Sequence, residues 1–319
     1  MSETGDGPDL SIVVPLLDES QSLGELAERI RTACGGLDFE VLFVDDGSTD
    51  PSWNTIEAVH AGDDRFGGIR LRRNYGKSAA LAVGFAAARG RYVVTMDADL
   101  QDDPAEIPAM IEKLEAGADL VSGWKKERRD PLSKKLPSRF FNAITRSLSG
   151  INLHDFNCGL KAYRLEVVRN VRLYGELHRY IPLLAKWEGF EAIEEQVVRH
   201  HPRTYGKTKF GLERYLRGFL DLLSVLFMTR FAARPMHFFG ALGSLAFLGG
   251  FAISLWLSID KLVYGNPIGD RPLLLLGVLL ILVGVQMFTT GLIGQMIVRP
   301  AMEDVEGIGV AERRLPGRG

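Results

Sequence analysis

Along the chain, short aliphatic and β-branched runs alternate with segments whose apolar residues recur at helical spacing. LSIVVPLLDE reads as a buried strand ending at Pro15, and SLGELAERIRTA as the helix that follows. FEVLFVDDGSTD repeats the strand, with a helix running from Trp53 to His60. IRLRRNYGKSAALAVGFAAARG joins a third strand to an alanine-rich helix. RYVVTMDADL is a further strand, PAEIPAMIEKLEAG a helix with proline in its first turn, and DLVSG one more strand. This alternation predicts an α/β fold with a largely parallel sheet, whose ligands bind outside the carboxyl ends of the strands. The conspicuous polar clusters fall at such ends: Asp18 with Glu19, Asp45 with Asp46, and Asp97-Ala98-Asp99.

The pattern then changes period and length. No Asp, Glu, Lys or Arg occurs from Met236 to Ile259, nor from Pro272 to Val298. Each run exceeds the ~20 apolar residues that cross a bilayer core. Gly240, Gly243, Gly249 and Gly250, then Gly284, Gly291 and Gly294, suit close helix–helix approach in lipid. A pair of buried core helices is the alternative. The short linker Asp260 to Arg271 predicts a hairpin. Arg230 and Arg234 precede it and Arg299, Arg313, Arg314 and Arg318 follow, which places both termini and the head on the cytoplasmic side of a plasma membrane. GLERYLRGFLDLLSVLFMTR and SRFFNAITRSLSG carry apolar stripes suited to helices lying in the interface, with core-facing helices as the competing reading.

Composition changes this picture in two respects. The net charge of −2 hides two basic segments. Val121–Ser147 holds eight Lys or Arg against Glu127 and Asp130, and Gln196–Arg234 holds eight against Glu213 and Asp221. They imply an anionic partner, or in the simplest case a solvated helix face. Interleaved aromatics of the RNA-binding type are missing from them, so nucleic acid is not expected. Cys34 and Cys158, with no CxxC, argue against a disulfide framework or a zinc site. The polar start, residues 1–9, is expected to be a disordered lead-in and not a signal peptide.

The acidic turn YVVTMDADLQDDP poses the central chemical question, because Asp97, Asp99, Asp102 and Asp103 repel one another. A metal ion, a basic side chain or water must sit against them. On an extended backbone Asp97 and Asp99 point the same way. With Gln101 they offer hard oxygen ligands suited to Mg²⁺ or Mn²⁺. A dinucleotide fold is excluded, since the first strand–helix turn lacks GxGxxG. Gly76-Lys77-Ser78 is no Walker motif, because its earlier glycine would fall at Leu71. His200 and His201, ahead of Pro202, read as structural and not as metal ligands.

SIVVPLLDE, VDDGSTD, RNYGKSAAL, MDADLQDDP, DFNCGLKAYR and RTYGKTK, in this order over residues 11 to 209, resemble family 2 glycosyltransferases of the polyprenyl-phosphate branch. The resemblance implies a GT-A head. It implies that Pro15, Leu17, Glu19, Val44 and Asp46 hold the nucleotide's base and ribose, with Lys77 and Ala98 also lining the donor site. Asp97, Asp99 and Gln101 would bind the metal bridging the diphosphate, with Asp99 nearest the leaving phosphate. Arg203 and Lys209 would close over phosphate, and Lys125 and Arg139 would meet the acceptor phosphate. Asp155 would orient the acceptor or act as a weak base. The chain departs from the family pattern at Asp18, where asparagine is common, at Thr208, where serine is usual, and at Lys125, where arginine is typical.

The expected organisation is a lead-in over 1–9, a catalytic domain over 10–209, a juxtamembrane helix over 210–234, a hairpin over 235–299 and a cytosolic tail over 300–319. The implied reaction is inverting transfer from a nucleotide-sugar, UDP-glucose in the first instance and GDP-mannose in the second, to polyprenyl (undecaprenyl) phosphate. The glycine-lined spans also suit a homo-oligomer. A processive polysaccharide synthase is disfavoured by the lack of QxxRW, and a non-catalytic scaffold by the intact DADLQ and RTYGKTK sets.

Overall fold

The computed structural model describes residues 7–126, 145–146, 150–175, 177–202, 235–267, 272–298 and 310–314. The chain divides into two compact units, Met1–Asp221 with Glu303–Gly319, and Leu222–Met302. The juxtamembrane segment 210–234 and most of 138–150 lie outside the described residues.

The first unit is built on eight described strands: β1 (Leu10–Leu16), β2 (Phe39–Asp45), β3 (Phe66–Leu71), β4 (Tyr92–Thr95), β5 (Leu120–Trp124), β6 (Lys161–Arg164), β7 (Ile193–Val197) and β8 (Val310–Arg314). Their order in the sheet is β7-β5-β6-β4-β1-β2-β3-β8. The expected parallel core is present: β1 pairs in parallel with β2 and β4, and β2 with β3. β6 runs antiparallel to both β4 and β5 and so reverses the sheet beside the site. This is the mixed α/β sheet of a GT-A head. Part of the stretch expected as a tail forms β8, which lies antiparallel on the β3 edge.

Helices α1 (Leu23–Cys34), α2 (Ser52–Gly62), α3 (Lys77–Ala87) and α4 (Ile107–Glu115) follow β1, β2, β3 and β4. α3 shows why its sequence is so poor in bulk. A Cβ at Gly84 would lie 2.3 Å from Val13 Cγ1 and 3.2 Å from Val44 Cγ2, so the helix rests directly on β1 and β2. α5 (Leu165–Asn170) and α6 (Ile181–Trp187) complete the described helices of this unit. Two apolar clusters flank the sheet, one including Leu26, Ile30 and Phe43, the other Leu42, Val83 and Tyr163.

The second unit is a hairpin of α7 (Pro235–Tyr264) and α8 (Pro272–Val298). Both helices are long and apolar enough to cross a membrane. Leu245, Leu262 and Leu275 are 69%, 84% and 75% exposed, so most of this apolar surface has no protein to cover it. The helices meet through glycines seven residues apart. A Cβ at Gly243 would lie 2.7 Å from the Gly284 carbonyl, one at Gly250 would lie 2.5 Å from that of Gly277, and one at Gly291 2.9 Å from Phe239 Cβ. This small-residue seam carries backbone-to-backbone packing where no hydrophobic effect drives association. Gly249, included in the expected seam, has no neighbour at its Cβ position, whereas Gly277 belongs to it.

Candidate active site

The carboxyl ends of β1 and β2 meet in two interlocked loops. Asp18 takes φ 56°, which turns its carboxylate across the chain. Its Oδ1 accepts from the N–H groups of Thr49 (2.8 Å) and Asp50 (3.3 Å). Asp50 accepts in return from the Ser20 N–H at 3.1 Å. Ser48 and Ser52 hydroxyls accept from the Asp18 and Glu19 N–H groups at 2.9 and 3.0 Å. Asp45 accepts from the Ser48 N–H at 2.8 Å and so closes its own turn. Asp46 accepts from the N–H groups of Tyr75 (2.7 Å) and Gly76 (2.9 Å), and so ties this corner to the start of α3. Burial pushes the Asp46 pKa up, against these two bonds.

Of the other expected donor-site residues here, Pro15 lies beside Val44 in the β1–β2 register and both are buried. Val44 packs against α3. Leu17 and Glu19 are half-buried at the loop.

The β4 end differs from expectation in shape. The strand stops at Thr95, and the chain turns at Ala98-Asp99 with Leu100 at φ 61°. Asp97 and Asp99 therefore do not sit on extended backbone, and alternation along a strand does not describe their directions. The turn is closed from within: the Gln101 N–H donates to Asp99 Oδ1 at 3.2 Å, and the Asp97 N–H approaches Asp102 Oδ2 at 3.4 Å. Ala98 is buried.

Basic side chains answer the charge question posed by the sequence. Lys77, the first residue of α3, donates to Asp97 Oδ1. Lys125 Nζ lies 2.7 Å from Asp102 Oδ1, with Asp102 0% exposed. Lys161 is buried on β6 and donates to the Cys158 carbonyl. Desolvation pushes the Asp97 carboxyl up, but Lys77, then Lys125 and Lys161, outweigh it and the pKa falls to about 2. Desolvation opposes the charge on Lys125 as well, yet Asp102 raises its pKa above the ordinary lysine value. Lys161, more deeply desolvated and without such a carboxylate contact, shifts downward.

Gly159 lets this arrangement close. A Cβ there would lie 2.6 Å from Asp97 Oδ2, so the DFNCGLK loop packs its backbone on the carboxylate. In the same loop Asp155 is 2% exposed and accepts from the Asn157 N–H at 3.1 Å. Glu195 on β7 accepts from the N–H groups of His154 (2.7 Å) and Asp155 (3.2 Å) and fixes the loop's start. His154 stacks on Trp124 with ring centroids 4.1 Å apart.

Lys161 and His178 were not singled out from the sequence. Lys161 lay inside a quoted motif, but a lysine on a four-residue strand carries no separate signal. His178 Nδ1 lies 3.0 Å from the hydroxyl of Ser78, the residue after Lys77, and that hydroxyl accepts from the His178 backbone N–H at 3.0 Å. Desolvation, then Lys77, Arg179 and Lys161, lower its pKa to about 3 and keep it neutral. His201 Nε2 lies 3.2 Å from Asp103 Oδ2, and His200 bridges to Asp102, in keeping with their structural reading. Arg139, Arg203 and Lys209 lie outside the described residues.

Among the described residues, no three His, Cys, Asp or Glu side chains gather as a ligand set. Asp97, Asp99 and Gln101 supply two carboxylates and an amide at a strand end. That set fits a hard divalent ion only if water and phosphate oxygens fill its other positions.

The sequence model of "Glycosyl transferase family 2" matches residues 11–172, the span from β1 through α5. The chain belongs to this family. The family 2 span thus contains the β4 turn, its lysines and the Gly159 loop. A dodecaprenyl-phosphate galacturonate synthase of Rhizobium johnstonii is 44% identical over 304 residues, covering 93% of this chain and 89% of its own. Among solved structures, a mycobacterial protein shares the fold with a TM-score of 0.55 at 24% identity, over 70% of this chain and 75% of its own. The glucosyl-3-phosphoglycerate synthase of Mycobacterium tuberculosis in complex with Mn²⁺ and UDP-glucose gives 0.53 at 23% identity, over 70% and 79%. This family 2 glycosyltransferase is therefore an enzyme with a GT-A head and a C-terminal apolar hairpin.

Proposed function

We propose that the enzyme transfers a sugar from a uridine-diphosphate donor to a polyprenyl phosphate at the cytoplasmic face of a membrane, with inversion. The observation that carries this reading is one of coverage. Likeness to the solved structures extends over 70% of the chain, whereas likeness to the dodecaprenyl-phosphate galacturonate synthase extends over 93%. Only the latter extent must include much of the hairpin, the part suited to a lipid-borne acceptor. The sequence suggested glucose as the sugar; the relative favours a hexuronate, and galacturonate is the donor sugar we put first.

Asp97, Asp99 and Gln101 are the residues that would hold Mg²⁺ or Mn²⁺ with the diphosphate. When bound, such an ion offsets charge developing on the leaving group. The protein's own part is alignment and electrostatics. The interlocked loops of Asp18, Asp46, Ser48 and Ser52 present a rigid corner to the nucleoside. Lys77 stands at the mouth, where a diphosphate would reach it. The acceptor phosphate is already anionic near neutral pH, so no strong base is needed. Asp155, at 2% exposure, serves best as a positioning group beneath the turn, holding the 155–161 loop and facing Lys161. Arg139, Arg203 and Lys209 are retained as the phosphate contacts expected from the sequence.

The test is transfer of labelled sugar to undecaprenyl or dodecaprenyl phosphate by full-length protein, with UDP-galacturonate, UDP-glucose and GDP-mannose compared in Mn²⁺. Transfer from a UDP-sugar that is lost in Asp99→Ala supports the proposal. Full activity of Asp99→Ala, or sugar transfer only to soluble acceptors, refutes it.

A further inference from the structure

The three ammonium groups around the β4 turn are not equivalent. Lys125 is sealed against Asp102, with side chains 11% and 0% exposed. Lys161 is 3% exposed and bound to a backbone carbonyl. Lys77 alone forms a pair open to solvent, with both its side chain and that of Asp97 34% exposed. It also stands at the first position of its helix, after Gly76 at φ 96°, on a flexible four-carbon stem. Its partner is one of the two carboxylates expected to meet a metal. An ammonium and a divalent cation on that one carboxylate compete for its charge, because at neighbouring oxygens they repel each other.

We propose that Lys77 is the resident counter-ion of Asp97, exchanged for a divalent cation when the donor arrives, and that its charge then passes to the donor's diphosphate. This rests on the metal–diphosphate reading of the site given above. In the nucleotide-free head a bare divalent ion must displace Lys77 and leave its ammonium beside a dication with no anion to meet. When a diphosphate enters with the ion, the displaced ammonium gains a partner. Metal and nucleotide therefore load cooperatively, and each raises the affinity for the other by the same factor. Lys125 and Lys161 cannot make this exchange, because leaving their sites would strand Asp102 or bring a buried chain out of the core.

The experiment measures Mn²⁺ binding by the full-length protein in nanodiscs, from the electron paramagnetic resonance signal of the free ion, with and without UDP. Wild type is expected to bind Mn²⁺ alone weakly and markedly tighter with UDP. Lys77→Met is expected to bind Mn²⁺ alone about tenfold tighter than wild type, the effect of removing one partly exposed competing charge, and to lose most of the UDP enhancement. Lys77→Arg, which keeps the charge, restores the wild-type pattern. A circular dichroism melt of Lys77→Met close to that of wild type excludes misfolding as the cause. The inference is overturned if Lys77→Met and wild type bind Mn²⁺ equally without UDP while wild type still binds Mn²⁺ with UDP. If wild type retains no Mn²⁺ even with UDP, the metal reading falls and takes the inference with it.

Discussion

At the ends of β1 and β2 carboxylates are held mainly by neutral dipoles, whereas at the end of β4 they are held mainly by full charges. Asp18, Asp46 and Asp50 accept from backbone N–H groups of neighbouring loops, and Asp45 from Ser48 in its own turn, with Arg70 Nε 3.6 Å from its other oxygen. Asp97 and Asp102 face Lys77 and Lys125. Bonds of the first kind are short-ranged and directional, so they fix a shape. Those of the second kind are longer-ranged and can be transferred to another charge of the same sign. The head therefore keeps a rigid corner for a nucleoside next to a turn whose charge balance can be redrawn by a ligand.

Breaking the sealed pair has the largest expected effect. Lys125→Met removes the cation from an Asp102 that is 0% exposed. A loss of about 3 kcal/mol in stability is expected, read from the urea midpoint, and Lys125→Arg recovers part of it. Gly159→Ala tests the β4 turn more selectively. The added Cβ cannot stay 2.6 Å from Asp97 Oδ2, so the loop or the carboxylate must shift. About 1–3 kcal/mol is expected, and sugar transfer should fall more than stability does.

Asp46→Ala probes the other side of the comparison. It orphans the Tyr75 and Gly76 N–H groups at a cost of about 1–2 kcal/mol. Because this corner shapes binding, KM for the donor should rise more than kcat falls. The effect that is smallest at neutral pH is a change of slope with pH, which grows only in acid. His178 binds its proton below about 3 in the folded head but near 6.5 in the unfolded chain. Between those values the unfolded state holds more protons, so stability falls as pH drops through the window. In His178→Gln the dependence over that window should flatten, as followed by unfolding midpoints measured across it.

The parallel core was legible from the sequence because β1, β2 and β4 are buried aliphatic or β-branched runs and each of β1 to β4 is followed by a helix. β6, β7 and β8 were not. KAYR is four residues long, IEEQV is half-exposed and acidic, and VAERR is mostly polar, so none shows the period or bulk of a core strand. The hairpin could be read from length alone, while its seam needed the structure to separate Gly249 from Gly277. Within the site, the residue types at the β4 turn were foreseeable but their counter-ions were not. Lys77, Lys125 and Lys161 come from three different elements, and only the reversal of the sheet at β6 gathers them around one turn. The expected alternation of Asp97 and Asp99 failed because the strand ends at Thr95 and the chain already turns at Ala98-Asp99, before the left-handed Leu100.

β8 has a bearing on how the protein is made. It completes the β3 edge of the head, yet it is encoded after both long apolar helices. The whole hairpin is therefore translated before this strand of the sheet exists. Until then the β3 edge stays open, and the head reaches its finished form only after both long apolar helices have been translated.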